Sequence, residues 1–234
     1  MSTLNVHLQM LEFVAIALGP ELCERMAFVG GCTTGLLLTD DFTKEQVRHT
    51  DDVDLIVHVM GYADYHQLQQ QLREKGFSIS IPDEDEDIPV CAMKLGELRV
   101  DFMPDDEAVL GFSNRWYRKA METATAHMLA QGVVIRVVHP VYFVATKLEA
   151  YKGRGNGDPM SSRDIEDLLT LVDGREELLH ELSKADAELQ QYIAQELTAL
   201  LKMQDFEYAV QSQSLGDVAR EEEIFSRLEQ IAGD

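Results

Sequence analysis

Positive charge is what this chain lacks: 20 lysines and arginines stand against 42 aspartates and glutamates, for a net charge of −22. Such a surface repels phosphate, which excludes a uniformly basic nucleic-acid binder; a polyanion would need a local basic island. Cysteine is scarce as well. Cys23, Cys32 and Cys91 are an odd number and form no CxxC pair, which fits reduced thiols of a cytoplasm better than a disulfide framework. The seven histidines show no HExxH and no paired Cys/His spacing, so no zinc site is expected. No run reaches the ~18 apolar residues of a membrane span, and the start, Met1-Ser2-Thr3-Leu4-Asn5, lacks the basic and apolar regions of a secretory signal. The expectation is a cytoplasmic protein with no membrane partner.

What is present is enough apolar material for a core. Hydrophobic residues make up 45% of 234 positions, which rules out disorder driven by charge and suits one large domain or two small ones. Helical spacing marks 5–18, ended by Gly19-Pro20. A short apolar strand, 26–29, runs into Gly30-Gly31, and 33–38 opens a helix. Residues 53–59 read as a strand, 62–75 as a helix, and 83–87 as a solvated acidic turn. Strands at 90–95 and 98–103 flank Gly96-Glu97 as a hairpin, and 133–138 is a further strand stopped by Pro140. Beyond it, 141–152, 162–172, 176–182, 187–202 and 218–231 all read as helices. The expected class is α+β: a mixed sheet flanked by helices over 1–139, then an all-helical part over 140–234 packed on it.

Chemistry concentrates at Asp52-Val53-Asp54. Side chains alternate along a strand, so both carboxylates leave the same face at its beginning. Crowded carboxylates repel unless they share a cation, and a hard divalent ion with oxygen ligands is the natural one. The alternative is that Asp52 caps a turn and Asp54 lies on an exposed face. Asp101 sits in the otherwise apolar stretch 98–103, where a charge costs several kcal/mol unless paired with Arg99 or Arg136, or metal-bound. Upstream, Gly30 and Gly31 allow a phosphate to approach the backbone ahead of a helix start.

Glycine turn, DxD on a strand and a lone aspartate on a later strand together resemble the nucleotidyltransferase superfamily that includes DNA polymerase β. The resemblance implies a nucleotidyltransferase-type sheet, a phosphate-gripping turn at Gly30-Gly31, and two Mg²⁺ ions on Asp52, Asp54 and Asp101. Asp101 would also help deprotonate the acceptor hydroxyl. Cys32 stands where many members carry serine, so Thr33 or Thr34 would supply the phosphate-facing hydroxyl, and Cys32 itself reads as a small buried hydrophobe. Twenty residues separate Gly31 from Asp52.

A second cluster follows. Lys147 and Tyr151 share a helix face with Arg154 one turn on; after a glycine-rich loop, Ser161 has capping-box-like spacing to Asp164, and Asp164 and Asp167 share the next helix's face. A lysine-bearing helix followed by Arg163-Asp164-Ile165-Glu166-Asp167, after glycine turn and DxD, resembles the AbiEii/AbiGii toxin-like nucleotidyltransferases. By that resemblance Lys147 would contact the triphosphate of an NTP substrate and Asp164 would orient it or join catalysis. Lys152 and Arg154 would be phosphate or acceptor contacts, and Arg163 and Asp167 supports. The alternative is a structural salt bridge between Lys147 and Asp164. Trp116 and Tyr117, between Arg115 and Arg118, read equally as a base-stacking edge or as aromatic core, and His139 as a turn residue.

The expected activity is Mg²⁺-dependent transfer of an NMP to an acceptor hydroxyl, such as a tRNA 3′ end, in a toxin or phage-defence role with a cognate antitoxin as partner. Other readings are transfer to a small molecule or protein, and a non-catalytic nucleotide-binding interaction protein. Residues 115–163 carry eight basic and three acidic residues, which leaves one segment where a tRNA acceptor could dock.

Overall fold

The computed structural model describes residues 2–79 and 89–233, so the acidic turn expected at 83–87 lies outside the described residues. In chain order the elements begin with α1 (Thr3–Leu18), α2 (Pro20–Glu24), β1 (Met26–Val29), a 3-10 turn (Gly31–Thr33), α3 (Thr34–Leu37) and α4 (Asp41–Lys44). Then come β2 (Asp52–Val57), α5 (Tyr62–Glu74), β3 (Phe77–Ile79), β4 (Ala92–Leu95), β5 (Leu98–Pro104), α6 (Glu107–Leu110) and α7 (Tyr117–Glu122). β6 (Thr125–Met128), a second 3-10 turn (Ala130–Gly132) and β7 (Val134–Val137) complete the strands. Six helices follow: α8 (Pro140–Arg154), α9 (Arg163–Gly174), α10 (Leu178–Ser183), α11 (Ala187–Leu200), α12 (Gln204–Ser214) and α13 (Val218–Ala232). The class is α+β, with one mixed seven-stranded sheet. None of the described helices is long and apolar enough to cross a membrane.

The chain divides into two units. One comprises residues 1–33 and 49–139, the other 34–48 and 140–234, so the second is assembled from two stretches of sequence. Among the described residues all seven strands belong to the first unit, in the order β3-β4-β5-β2-β1-β7-β6. β2 and β5 run parallel, as do β1 and β7; the other neighbours are antiparallel. β2 forms because β-branched and aliphatic residues pack on a pleated surface, and Val53, Leu55, Ile56 and Val57 are all buried. Each such side chain contributes about 1.5–3 kcal/mol on leaving water. Its first three residues include the polar exceptions Asp52 and Asp54.

Among the described residues the second unit contains helices and no strand. α8 opens with Pro140 at its first position, where a missing N–H costs nothing, and buries ten residues, Lys147 among them. α9 is capped by Ser162, whose hydroxyl accepts from the Ile165 N–H at 3.4 Å. That corrects the expected cap: the Ser161 hydroxyl instead donates to Asp158 at 2.7 Å, which shifts the start by one residue. The 34–48 stretch is tied to the end of α9, since the Thr39 and Asp40 N–H groups both donate to the Gly174 carbonyl, at 2.8 and 3.0 Å. A side chain at Gly174 would overlap Thr43, so only glycine lets the segment pack that closely.

Candidate active site

In the first unit, β2 and β5 lie side by side with Asp52 opposite Arg99 and Asp54 opposite Asp101. Parallel pairing in this register puts four charged side chains on one face at the strands' N-terminal ends. Asp52, Asp54 and Asp101 each offer a carboxylate oxygen, and these oxygens lie within 4.8 Å of one another. Asp101 is buried, while Asp52 and Asp54 are half-buried. Arg99 is inserted among them, ion-paired with Asp52 and with its Nε 3.5 Å from an Asp101 oxygen. Of the two sequence alternatives for Asp101, Arg99 is the partner. Arg136 donates instead to the carbonyls of Glu24 and Met121, at 3.3 and 2.6 Å.

The glycine turn reaches the same carboxylates. Gly30 has φ of +78°, a conformation side chains rarely adopt, and a Cβ there would occupy the space taken by the Asp54 carboxylate. The strand, turn and carboxylate are thus fitted to one another through a missing side chain. Thr33 is fully buried and its hydroxyl donates to the Gly30 carbonyl at 2.9 Å, closing the 3-10 turn. Thr34 falls in the second unit, also fully buried. Cys32 is buried, its thiol donating to the His7 carbonyl at 3.7 Å.

α1 braces the segment that leads into β2. His7 is fully buried, and its Nε2 accepts from the Thr50 N–H at 3.3 Å. The Thr50 hydroxyl then donates to an Asp52 carboxylate oxygen at 2.5 Å. Sequence reasoning missed His7: it lies in an amphipathic helix 45 residues before Asp52, and only tertiary packing joins them. The field of the cluster is visible at Cys91, whose thiol is pushed up to about 12, first by burial and then by the negative charges of Asp101 and Asp54. Donor type and spacing both fit a hard divalent cation.

The second unit contains a different arrangement. The Lys147 ammonium, only 7% exposed, donates to Asp164 at 3.2 Å and to Asp167 at 2.6 Å. Arg48 grips Asp167 from the other side with two parallel bonds of 2.8 Å. Arg154 does the same to Asp164 with two bonds of 2.9 Å. Burial pushes the Asp164 carboxyl up, but the Arg154 hydrogen bond and the charges of Lys147 and Arg154 outweigh it and hold it below the usual carboxylate range. Lys147 and Asp164 thus do form an ion pair. Asp167, read from sequence as a support, is the hub between two cations, and Arg48 carried no sequence signal beyond preceding the acidic pair.

Other basic residues of 115–163 are also engaged within the chain. Arg118 pairs with Asp105 and Asp106, Lys119 with Glu122, and Lys152 with Glu196. Arg115 lies over the Trp116 ring, 4.8 Å from its centroid, and Trp116 is itself buried as core.

No protein-family model matches the chain, and neither does any curated protein. Among solved structures it is similar to an antigenic nucleotidyltransferase-like protein from Paracoccidioides brasiliensis. The identity is 18% and the TM-score 0.43, over 88% of this chain and 84% of that one. A likeness that shallow assigns no role to any residue.

Proposed function

We propose that the protein is a divalent-metal-dependent nucleotidyltransferase, moving an NMP from an NTP to an acceptor hydroxyl and releasing pyrophosphate. The observation that carries this reading is the convergence of Asp52, Asp54 and Asp101, from two strands far apart in sequence, onto one face. Held there, Mg²⁺ would stabilise the charge on the attacking and leaving oxygens of an in-line displacement. The chain's own contribution is position. Asp52 and Asp54, fixed by Thr50 and by the Gly30 turn, would bind the ions. Asp101 would complete the ligand set and accept the acceptor's proton. The backbone at Gly30 and Gly31 would face the phosphates, where N–H groups favour anions.

The acceptor proposed first is an RNA 3′ end, in a toxin role held in check by an antitoxin. A second reading is favoured by one observation. Five of the eight basic residues of 115–163 already have carboxylate partners, which leaves little free positive charge for RNA. A small or proteinaceous acceptor, especially a cationic one, suits the net charge of −22 better. Incubation with labelled NTPs, Mg²⁺ and, in parallel, total tRNA, cell protein and small polyamine or aminoglycoside acceptors tests both. Label on tRNA supports the first reading and label on the other pools the second. If wild-type protein labels no pool above Asp52→Ala, transferase activity is refuted.

A further inference from the structure

Arg99 does more than neutralise a neighbour. It stands opposite Asp52 in the β2–β5 register and two residues before Asp101, so its side chain emerges on the face that carries all three carboxylates. Its guanidinium is ion-paired with Asp52 and lies 3.5 Å from an Asp101 oxygen. Those are two of the three groups whose oxygens converge as a ligand set. The guanidinium side chain is 41% exposed, against 16% for Asp52 and 9% for Asp101, so it reaches inward from the solvent edge and has room to withdraw.

We infer that Arg99 is a tethered cation that competes with the divalent ion for the same carboxylates, so that loading the site is an exchange of one cation for another. The inference rests on the metal reading of the site and adds to it how metal affinity is set. An ion placed on Asp52 and Asp101 would draw on the same carboxylates as the guanidinium, and two positive charges at such spacing repel, so each weakens the other's hold. The carboxylates are therefore never left bare: Arg99 in is the metal-free state and Arg99 out the loaded one. Apparent affinity falls by the fraction of molecules in which the site is open, so a pair formed about nine-tenths of the time weakens binding about tenfold. The same exchange gives the freed guanidinium a use, since a metal ion arriving with a nucleotide brings phosphate anions with it.

The test is Mn²⁺ binding without nucleotide, by calorimetry and by loss of the free-ion electron paramagnetic resonance signal. It compares wild type, Arg99→Met, Arg99→Lys and Asp54→Asn, with circular dichroism to verify folding. The expected result is that Arg99→Met binds about tenfold more tightly than wild type. It should also melt lower without metal and gain more from saturating Mn²⁺, because ligand binding stabilises in proportion to affinity. Asp54→Asn should lose binding. If Arg99→Met binds no better than wild type while Asp54→Asn loses binding, the competition is overturned and the metal site stands. If neither wild type nor Arg99→Met binds Mn²⁺, the metal site falls and takes this inference with it. Should Arg99→Met fail to fold, Arg99→Lys carries the comparison: its shorter reach to Asp101 should still tighten binding, and unchanged affinity would overturn the proposal.

Discussion

Two charge clusters, one in each unit, differ in how far they are sealed from water. On the β2–β5 face Asp52, Asp54 and Asp101 converge, and the guanidinium that meets Asp52 and Asp101 is itself half in solvent. Between α8 and α9 two aspartates are gripped by three cations, and Lys147, Asp164 and Asp167 are nearly sealed from water. The difference separates a cluster open to solvent from one held by its own buried ion pairs. A buried pair that loses one member leaves an uncompensated charge, so the helical cluster is expected to act on stability. A crowded set of like charges is already strained by repulsion, so the sheet cluster is expected to act on binding and chemistry.

The sharpest way to break that comparison is Asp54→Asn. NMP transfer should fall by about 10³-fold or more, since the ion and triphosphate are positioned as a unit. The melting temperature should hold or rise as repulsion is relieved. A large loss of stability there would show that the sheet cluster is structural after all. Asp167→Asn should do the reverse. It strands Lys147 and Arg48 and should cost about 3–5 kcal/mol in urea unfolding, and a variant as stable as wild type would remove the basis of the contrast.

Gly30→Ala should touch both properties, with a loss of about 1–3 kcal/mol from its left-handed backbone and a drop in transfer as Asp54 is pushed aside. Unchanged transfer would show that the turn does not set that carboxylate. The smallest effect concerns acid. The Asp164 carboxyl is held below its ordinary 3.8, so its contribution is complete above that value and is lost only as the pH falls through the lower, folded one. Unfolding midpoints between pH 5 and pH 2 should therefore drop less steeply in Asp164→Asn than in wild type. Parallel curves would remove Asp164 from the pH response.

Much of the sheet cluster could be read in advance because its signal is local. Asp52 and Asp54 interrupt a β-branched run, and Asp101 interrupts an apolar one. What could not be read was that β2 and β5 are parallel neighbours, since strand order depends on packing rather than on any single segment. That is why Arg99 looked like a plain ion-pair partner. β6 was missed for another reason: Thr125, Ala126 and Met128 are exposed, so this edge strand has no alternating pattern and is held by pairing with β7 alone. α12 was missed because Gln204–Ser214 is largely polar, with Phe206, Ala209 and Val210 as its main apolar anchors. Residues 34–48 carry no compositional mark that would assign them to the helical unit. Their attachment rests on Arg48 and on the carbonyl of Gly174, both distant in sequence from what they meet.

That attachment has a consequence during synthesis. Residues 34–48 leave the ribosome with the next 91 residues still to come before Pro140. At ~5–20 residues per second the delay is roughly 5–20 s. Throughout it, Leu37, Leu38 and Val47, all buried in the finished protein, await partners that have not been translated. A nascent chain arrested at residue 139 should therefore be cut by protease within 34–48, and the completed chain should resist cleavage there; equal resistance in both would mean the segment finds another shelter while it waits.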